Sequence, residues 1–397
     1  FKSLPEDPCV YVIRHSNSAQ IWGQVLVHVD DTLIAGESDF IEWFTWHLQD
    51  KWSVKEVTRA DQGDGIKFCG LWIRSGETDS GKIIVLNQKP YAELVEEIEI
   101  PPQQSETETL SSGQVTAVQS VCGAANWLAT QTRPDIAWMT SDTISSLAHD
   151  KNLSVLKKSN KLVRQIRRGS GTKICFERLP CELSELCLVI YSDASWANMS
   201  GLRSQSGQTF VLACHPKEYS GDEFLGNLIH WRSTRIKRVC RSTFAAETLS
   251  AVDAKDTGAN LKSLIQHWLD TPIRMRLKSD CNSLVTSLKQ IAPESTEKRL
   301  KLDLLSLKED LETGELEVLE WVPTDTMYAD NLTKNMDGID ILTAMWQNKW
   351  NTKSYISRVA RKSKAAVKAD AKAALLMTQQ RESLLASIGF DESEVYG

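Results

Sequence analysis

Asp193, Glu247, Asp280 and Asp330 are the acidic residues whose surroundings set them apart. Asp193 ends the apolar run Cys187-Leu188-Val189-Ile190-Tyr191-Ser192, which is too short for a helix and reads as a buried strand. Glu247 closes Ser242-Thr243-Phe244-Ala245-Ala246-Glu247, where Ser242 or Thr243 can cap a helix and Glu247 falls in its first turns. Asp280 follows the alternating strand 273–279, and Asp330 follows the strand 317–322 and its Pro323 stop. A strand, a helix, a second strand and a post-strand turn can bring four carboxylates to one point. Hard divalent cations take oxygen ligands, and several carboxylates together offset their charge. The chemistry open to such a group is metal-assisted hydrolysis. Taken singly, each acid reads more simply as exposed surface charge.

The elements that must position these acids belong to an ordinary globular composition. With 397 residues the chain can bury two or three cores, and 41% hydrophobic with 25% charged residues fits a soluble protein. No apolar run approaches the ~20 residues of a membrane span, which points to an intracellular protein without membrane association. The nine cysteines show neither Cys-x-x-Cys pairs nor zinc spacing, so they read as thiols in a reducing compartment. The chain begins at Phe1 without an initiator Met and is expected to be a fragment or an incomplete gene product. No internal repeat is evident, and the oligomeric state is not legible.

A net charge of -6 argues against nucleic-acid binding over the whole surface, but the charge is unevenly spread. One acid-free stretch carries Lys157, Lys158, Lys161, Arg164, Arg167 and Arg168; a second carries Arg232, Arg235, Lys237, Arg238 and Arg241. Such patches neutralise phosphates and release counterions, giving affinity without sequence specificity. The plainer reading is a solvated basic face. Beside a carboxylate group, phosphate contact is preferred, with Lys157, Lys158, Lys161, Arg235, Lys237 and Arg238 as the candidates.

Several ordered motifs carry a resemblance. They are Asp7-Pro8-Cys9-Val10-Tyr11, Val29-Asp30-Asp31, Leu86-Asn87-Gln88-Lys89-Pro90-Tyr91 and Thr132-Arg133-Pro134-Asp135-Ile136-Ala137, then Tyr191-Ser192-Asp193-Ala194, Ala246-Glu247 and Ala329-Asp330-Asn331-Leu332-Thr333-Lys334. Together they make the chain similar to the C-terminal part of a copia-type LTR-retrotransposon polyprotein: a reverse transcriptase remnant followed by RNase H. The resemblance implies α/β and α+β architecture, a partial palm and thumb preceding an RNase H-like mixed sheet with helices. The implied boundaries are palm and thumb at 1–100, a linker at 101–114, a mainly helical connection at 115–182, the RNase H-like domain at 183–337 and a helical C-terminal extension at 338–397. Within that extension, 354–387 is rich in Ala, Lys, Arg and Leu.

The resemblance further implies a nuclease cutting RNA in RNA/DNA hybrids by two-metal hydrolysis, with two Mg2+ ions, or Mn2+ in their place. Asp193 would bridge the metals, flanked by Glu247 and Asp280 on one side and Asp330 on the other. Four acids matching in order make four coincidental surface charges improbable. Related nucleases often carry a His near the last Asp; no His follows His267 here, implying slow turnover. In the family the paired aspartates at Asp30 and Asp31 bind the polymerase metals, although Asp-Asp at a strand turn is by itself usually just a turn. His28 replaces the family's Tyr, and the remaining palm aspartate would precede Phe1, so polymerase ancestry without polymerase activity is expected. The alternative is a catalytically inert transposon relic that folds and binds nucleic acid. Leu261, Leu264, Ile265 and Trp268 repeat at helical spacing and read as core. Trp196 and Trp231 read as core or as groove residues, and Thr132-Arg133-Pro134-Asp135 as a structural turn with an Arg-Asp pair.

Overall fold

The structure, a computed structural model, describes residues 2–54, 56–78, 81–102, 105, 107–214, 223–290, 297–336 and 338–352. The helix expected at 354–387 lies outside them.

The N-terminal region holds two small antiparallel sheets. Strands β1 (Lys2–Ser3), β2 (Val10–Arg14), β3 (Ile21–His28) and β4 (Asp31–Gly36) make the first, in sequential order, and α1 (Ser38–Lys51) buries Phe40 against Ile13 and Val25. Strands β5 (Ile66–Phe68), β6 (Leu71–Thr78) and β7 (Gly81–Asn87) begin the second. Helices α2 (Lys89–Glu93), α3 (Ser112–Gln131), α4 (Ala137–His149) and α5 (Leu153–Arg168) follow. The expected linker ends early, because Ser111 caps α3 in a reciprocal capping box with Gln114. The Thr132-Arg133-Pro134-Asp135 segment is the expected structural turn. Arg133 and Asp135 are buried and paired at 2.7 Å, and the same guanidinium donates to the Ile166 carbonyl at the end of α5 (2.9 Å).

The stretch expected to be a mainly helical connection closes with a strand, β8 (Lys173–Glu177), paired antiparallel to β7. Its Cys175 joins Ile83 and Val85 in one buried cluster, so apolar burial ties this segment back to the first region.

Beyond it come β9 (Leu186–Met199), β10 (Arg203–Cys214), β11 (Glu223–Arg235), α6 (Thr243–Leu269), β12 (Arg274–Ser279), α7 (Asn282–Leu288), α8 (Lys298–Thr313), β13 (Val318–Trp321), α9 (Ile339–Gln347) and β14 (Lys349–Asn351). The strands form a mixed sheet in the order β13-β12-β9-β10-β11-β14. Strands β9, β10 and β11 are an antiparallel meander, and β12 and β13 join parallel to β9. The mixed sheet expected of this domain is therefore present. Strand β14 is an addition within the stretch expected to be helical. Trp350 anchors it, fully buried with its indole N–H on the Gly226 carbonyl (2.8 Å).

Central strand β9 reads as a continuous apolar run because helices cover both its faces. Leu186, Leu188 and Ile190 pack with Ala251 and Ala254 of α6 and Leu304 and Leu307 of α8. Cys187, Val189 and Tyr191 pack on the other side with residues of α3, α5 and α9. Helix α6 lies close on the sheet through small residues. A Cβ at Gly258 would stand 2.3 Å from Ile190 Cδ1, so only glycine permits this approach without a shift.

Candidate active site

The four acids arrive from four elements, and β9 runs on to Met199 past Asp193 rather than ending there. Asp193 lies in β9, Glu247 in the second turn of α6, Asp280 directly after β12 and Asp330 in a short helical turn after β13. Oxygens of Asp193, Asp280 and Asp330 lie within 4.8 Å of one another, the only such group of His, Cys, Asp or Glu among the described residues. Glu247 adjoins it. Its carboxylate accepts the Ala194 backbone N–H and lies within electrostatic range of Asp193 and Asp280.

Local bonding fixes these positions. Ser242 caps α6 by accepting the Ala245 N–H (3.1 Å), which sets the helix start five residues before Glu247. The Ser250 hydroxyl, one turn later, donates to the Asp193 carbonyl (2.9 Å) and lies 2.7 Å from the Ser206 hydroxyl, locking α6 to β9 and β10. Thr324 donates to Asp280 Oδ2 (2.8 Å) from the turn after β13. The Asp330 loop rests on β10 opposite Asp193. Gly207 pairs with Asp193 there, and a Cβ at Gly207 would meet Thr333 Cγ2 at 2.6 Å and the Ala329 carbonyl at 2.7 Å. Asn198 Nδ2 donates to the Thr333 carbonyl (3.1 Å) and closes the loop onto the end of β9.

The electrostatics are those of negative charge gathered out of water. Burial, then the charges of Asp193 and Asp280, pushes Glu247 up to about 9. Burial and Asp193 push Asp330 up to about 7, and the same two causes raise Asp280. Glu247 Oε2 is buried and meets no hydrogen-bond partner among the described residues. A buried carboxylate oxygen without a donor is destabilising unless a proton or a cation neutralises the group. The all-oxygen donor set and this orphaned atom fit hard divalent ions.

Two neighbours had no role assigned from sequence, although both stand in the Ala329–Lys334 motif. The Thr333 hydroxyl donates to Asp193 Oδ2. Lys334 Nζ lies 2.7 Å from Asp330 Oδ1 and 3.6 Å from Asp193 Oδ2. Burial opposes the ammonium's charge, but Asp193, Asp330 and Asp280 outweigh it and hold Lys334 above the ordinary lysine value. The signal was the spacing: Lys334 follows Asp330 by four residues, one turn of helical chain.

Other candidates fall elsewhere. Asp30 and Asp31 are exposed at the β3–β4 turn and join no group of three potential ligands among the described residues. Their hairpin packs with α1 in a small core, and the turn residues stay exposed. Lys157, Lys158, Lys161 and Arg164 of α5 line a groove of about 330 Å3 against Trp138 and Met139 of α4, with Asn335 on its rim. That rim is the residue after Lys334. Lys158 is partly engaged there, 2.7 Å from Asp142. Arg235 and Lys237 are exposed, whereas Arg238 is tied to Asp303 of α8 at 2.7 Å. Trp231 is core, its indole on the Ala129 carbonyl (2.6 Å), while Trp196 is about half exposed (47%). Ile265 is buried with Leu261 and Leu264 packed beside it, as their spacing indicated. His267 pairs with Glu6 at 2.6 Å. All nine cysteines are free thiols, with Cys122, Cys175 and Cys187 buried.

No family model matches the chain. Among curated proteins it is similar to the Transposon Ty1-NL2 and Ty1-DR6 Gag-Pol polyproteins of Saccharomyces cerevisiae, each 28% identical over 162 residues, or 40% of this chain. The match spans only 8% of the length of those relatives. Among solved structures, LC11-RNase H1 isolated from compost aligns over 39% of this chain and 98% of its own at 16% identity and a TM-score of 0.27. The foamy viral protease-reverse transcriptase in complex with double-stranded DNA aligns over 76% of this chain and 46% of its own at 15% identity and a TM-score of 0.43. Over the 162 matched residues the chain is similar to the copia-type Ty1 Gag-Pol polyproteins, and its six-stranded domain is a mixed sheet covered by helices.

Proposed function

We propose that the six-stranded domain is an RNase H-type endoribonuclease that cuts the RNA strand of an RNA/DNA hybrid. The observation that carries this reading is the convergence of Asp193, Asp280 and Asp330 within 4.8 Å, with the unpartnered Glu247 oxygen beside them. Asp193, Glu247, Asp280 and Asp330 would hold two Mg2+ ions, or Mn2+ in their place. When bound, such ions activate water and stabilise the departing 3′ oxygen.

The chain's own groups have separate tasks. Thr333 fixes the Asp193 carboxylate by donating to it, and the Ser250 bond to the Asp193 carbonyl sets its height against α6. Lys334 supplies a positive charge at the mouth of the group, where a scissile phosphate would approach. The basic groove of α5 reaches the same loop at Asn335 and suits the phosphate backbone further along the duplex. Arg235 and Lys237 offer a second contact; Arg238, held by Asp303, has less to give. RNA would be distinguished from DNA by the 2′-hydroxyl and by duplex shape. Asp30 and Asp31 have no part in this hydrolysis.

The deciding experiment incubates the chain with a labelled hybrid, with Mg2+ or with EDTA, beside Asp193→Asn. Cleavage by the wild type with Mg2+ alone, lost in the variant, is the expected result. Equal cleavage by both would assign the activity to a contaminant. Hybrid binding without cleavage would leave the chain as a folded, inert relic.

A further inference from the structure

Trp196 stands three residues after Asp193, where β9 leaves its regular register against β10. Ala197, next in line, takes a left-handed φ of +53°. The register shift interrupts the alternation of faces here, and the indole's own bond places it beside the segment that leads into α6, the element bearing Glu247. Its Nε1–H donates to the Cys240 carbonyl (3.0 Å), two residues before the Ser242 cap. The ring is thus held by its edge while 47% of the residue stays in solvent. Neighbouring Ser195 and Asn198 are bonded to the Thr333 carbonyl, which ties this strand end to the loop carrying Asp330.

The surroundings fit one kind of partner. The segment that receives the indole bond is acid-free from Arg232 to Arg241. It presents exposed Arg235, Lys237 and Arg241, together with Val239, which is 73% exposed. A half-exposed ring and an exposed valine are here rimmed by cations. On a surface that meets a polyanion with flat bases and sugars, the same groups are complementary.

We propose that Trp196 is a nucleic-acid-binding residue whose ring face packs on a sugar or base of the duplex beside the scissile phosphate, setting the register in which RNA is offered to the carboxylates. The inference rests on the nuclease reading and deepens it. Fixing the ring's edge lowers the entropy lost on contact, so the contact contributes to affinity without requiring a particular base.

The test uses the full chain and a short fluorescein-labelled RNA/DNA hybrid, with anisotropy read in Ca2+ to separate binding from cleavage. Substitutions are W196A, W196L and W196F, with melting temperature as the check on folding. W196A and W196L should bind about tenfold more weakly than wild type, because both lose the ring face. W196F keeps the face and loses the indole bond, and should stay within about twofold. In Mg2+, cleavage by W196A should spread over neighbouring phosphates while W196F keeps the wild-type sites. Unchanged binding and cleavage positions in W196A, with an active wild type, would overturn the inference and leave the nuclease reading standing. A loss in W196F equal to that in W196A would also overturn it, assigning the residue's importance to its bond with Cys240. A wild type that neither binds nor cuts the hybrid would overturn the nuclease reading, and this inference with it.

Discussion

Two sets of acids in this chain differ in every respect except charge. Asp30 and Asp31 are adjacent in sequence, sit at the tip of a hairpin and remain in solvent. Asp193, Glu247, Asp280 and Asp330 are scattered along the chain, yet three of them lie within 4.8 Å of each other and the fourth presents a buried oxygen with no partner among the described residues. Water satisfies the first pair, so nothing about it demands a cation. The second set is gathered by a central strand, a capped helix, a parallel strand and a turn, and its charges repel out of reach of water. Proximity in sequence brought two charges together cheaply; proximity in the fold built a group whose charge a proton or a cation would relieve.

The largest effect should follow from the difference itself. Asp193→Asn keeps the shape and removes the central charge, so hybrid cleavage should fall by about three orders of magnitude or more, with binding in Ca2+ changed little. The double substitution Asp30→Asn with Asp31→Asn should alter cleavage by less than about twofold, since it touches no buried group. A comparable loss in both variants would erase the comparison and bring the hairpin into the active site.

That contrast also marks what the sequence could reveal. Each of the four acids ends or follows a recognisable apolar element, because strands and capped helices advertise themselves by period and by caps. The mixed sheet was legible for the same reason. Strand β14 was not: three residues after a short helix have no periodicity, and Trp350 becomes a strand residue only through its partner β11. Strand β8 carries a strand-like pattern, but its pairing with β7 across the intervening helices leaves no local trace. The carboxylate group was readable as four residues; its unsatisfied oxygen and the ammonium at its mouth required the fold.

A second effect concerns pH. Glu247 and Asp330 have folded values above the ordinary carboxylate range, at about 9 and about 7. Between the unfolded and folded values the folded chain binds more protons, so their contribution is full below about pH 4 and is lost as pH rises. The metal-free protein should therefore melt about 5 °C lower at pH 8 than at pH 5. Saturating Mg2+ should remove most of this slope, since ions favour the charged carboxylates. A slope that persists unchanged in Mg2+, or survives in Asp193→Asn without ions, would mean that the repulsion lies elsewhere.

A smaller effect tests the basic surface. Replacing Arg235 and Lys237 with Ala removes two exposed cations, which should weaken hybrid binding by about tenfold and reduce the steepness of its salt dependence by about two. Arg238→Ala should show less of this and more loss of stability, because its guanidinium is engaged by Asp303. Equal salt slopes in all variants would place the duplex on the α5 groove alone.

The smallest effect isolates the feature that separates the two acid sets most finely, which is that one has a lysine built into it. Lys334 lies 2.7 Å from Asp330 and 3.6 Å from Asp193, so without ions it sets a positive charge beside the group. Its side chain is 42% exposed, and solvent trims the pairing to about 1 kcal/mol or less. Lys334→Met should lower the melting temperature of the metal-free protein by about 2 to 4 °C and steepen its fall with rising pH. In saturating Mg2+ the difference from wild type should shrink, because divalent ions then supply the charge the lysine had provided. Calorimetry of both proteins in EDTA and in Mg2+ reads this directly. A deficit of the same size in both conditions would show that Lys334 acts by packing its stem, and the likeness between its ammonium and a bound cation would be lost.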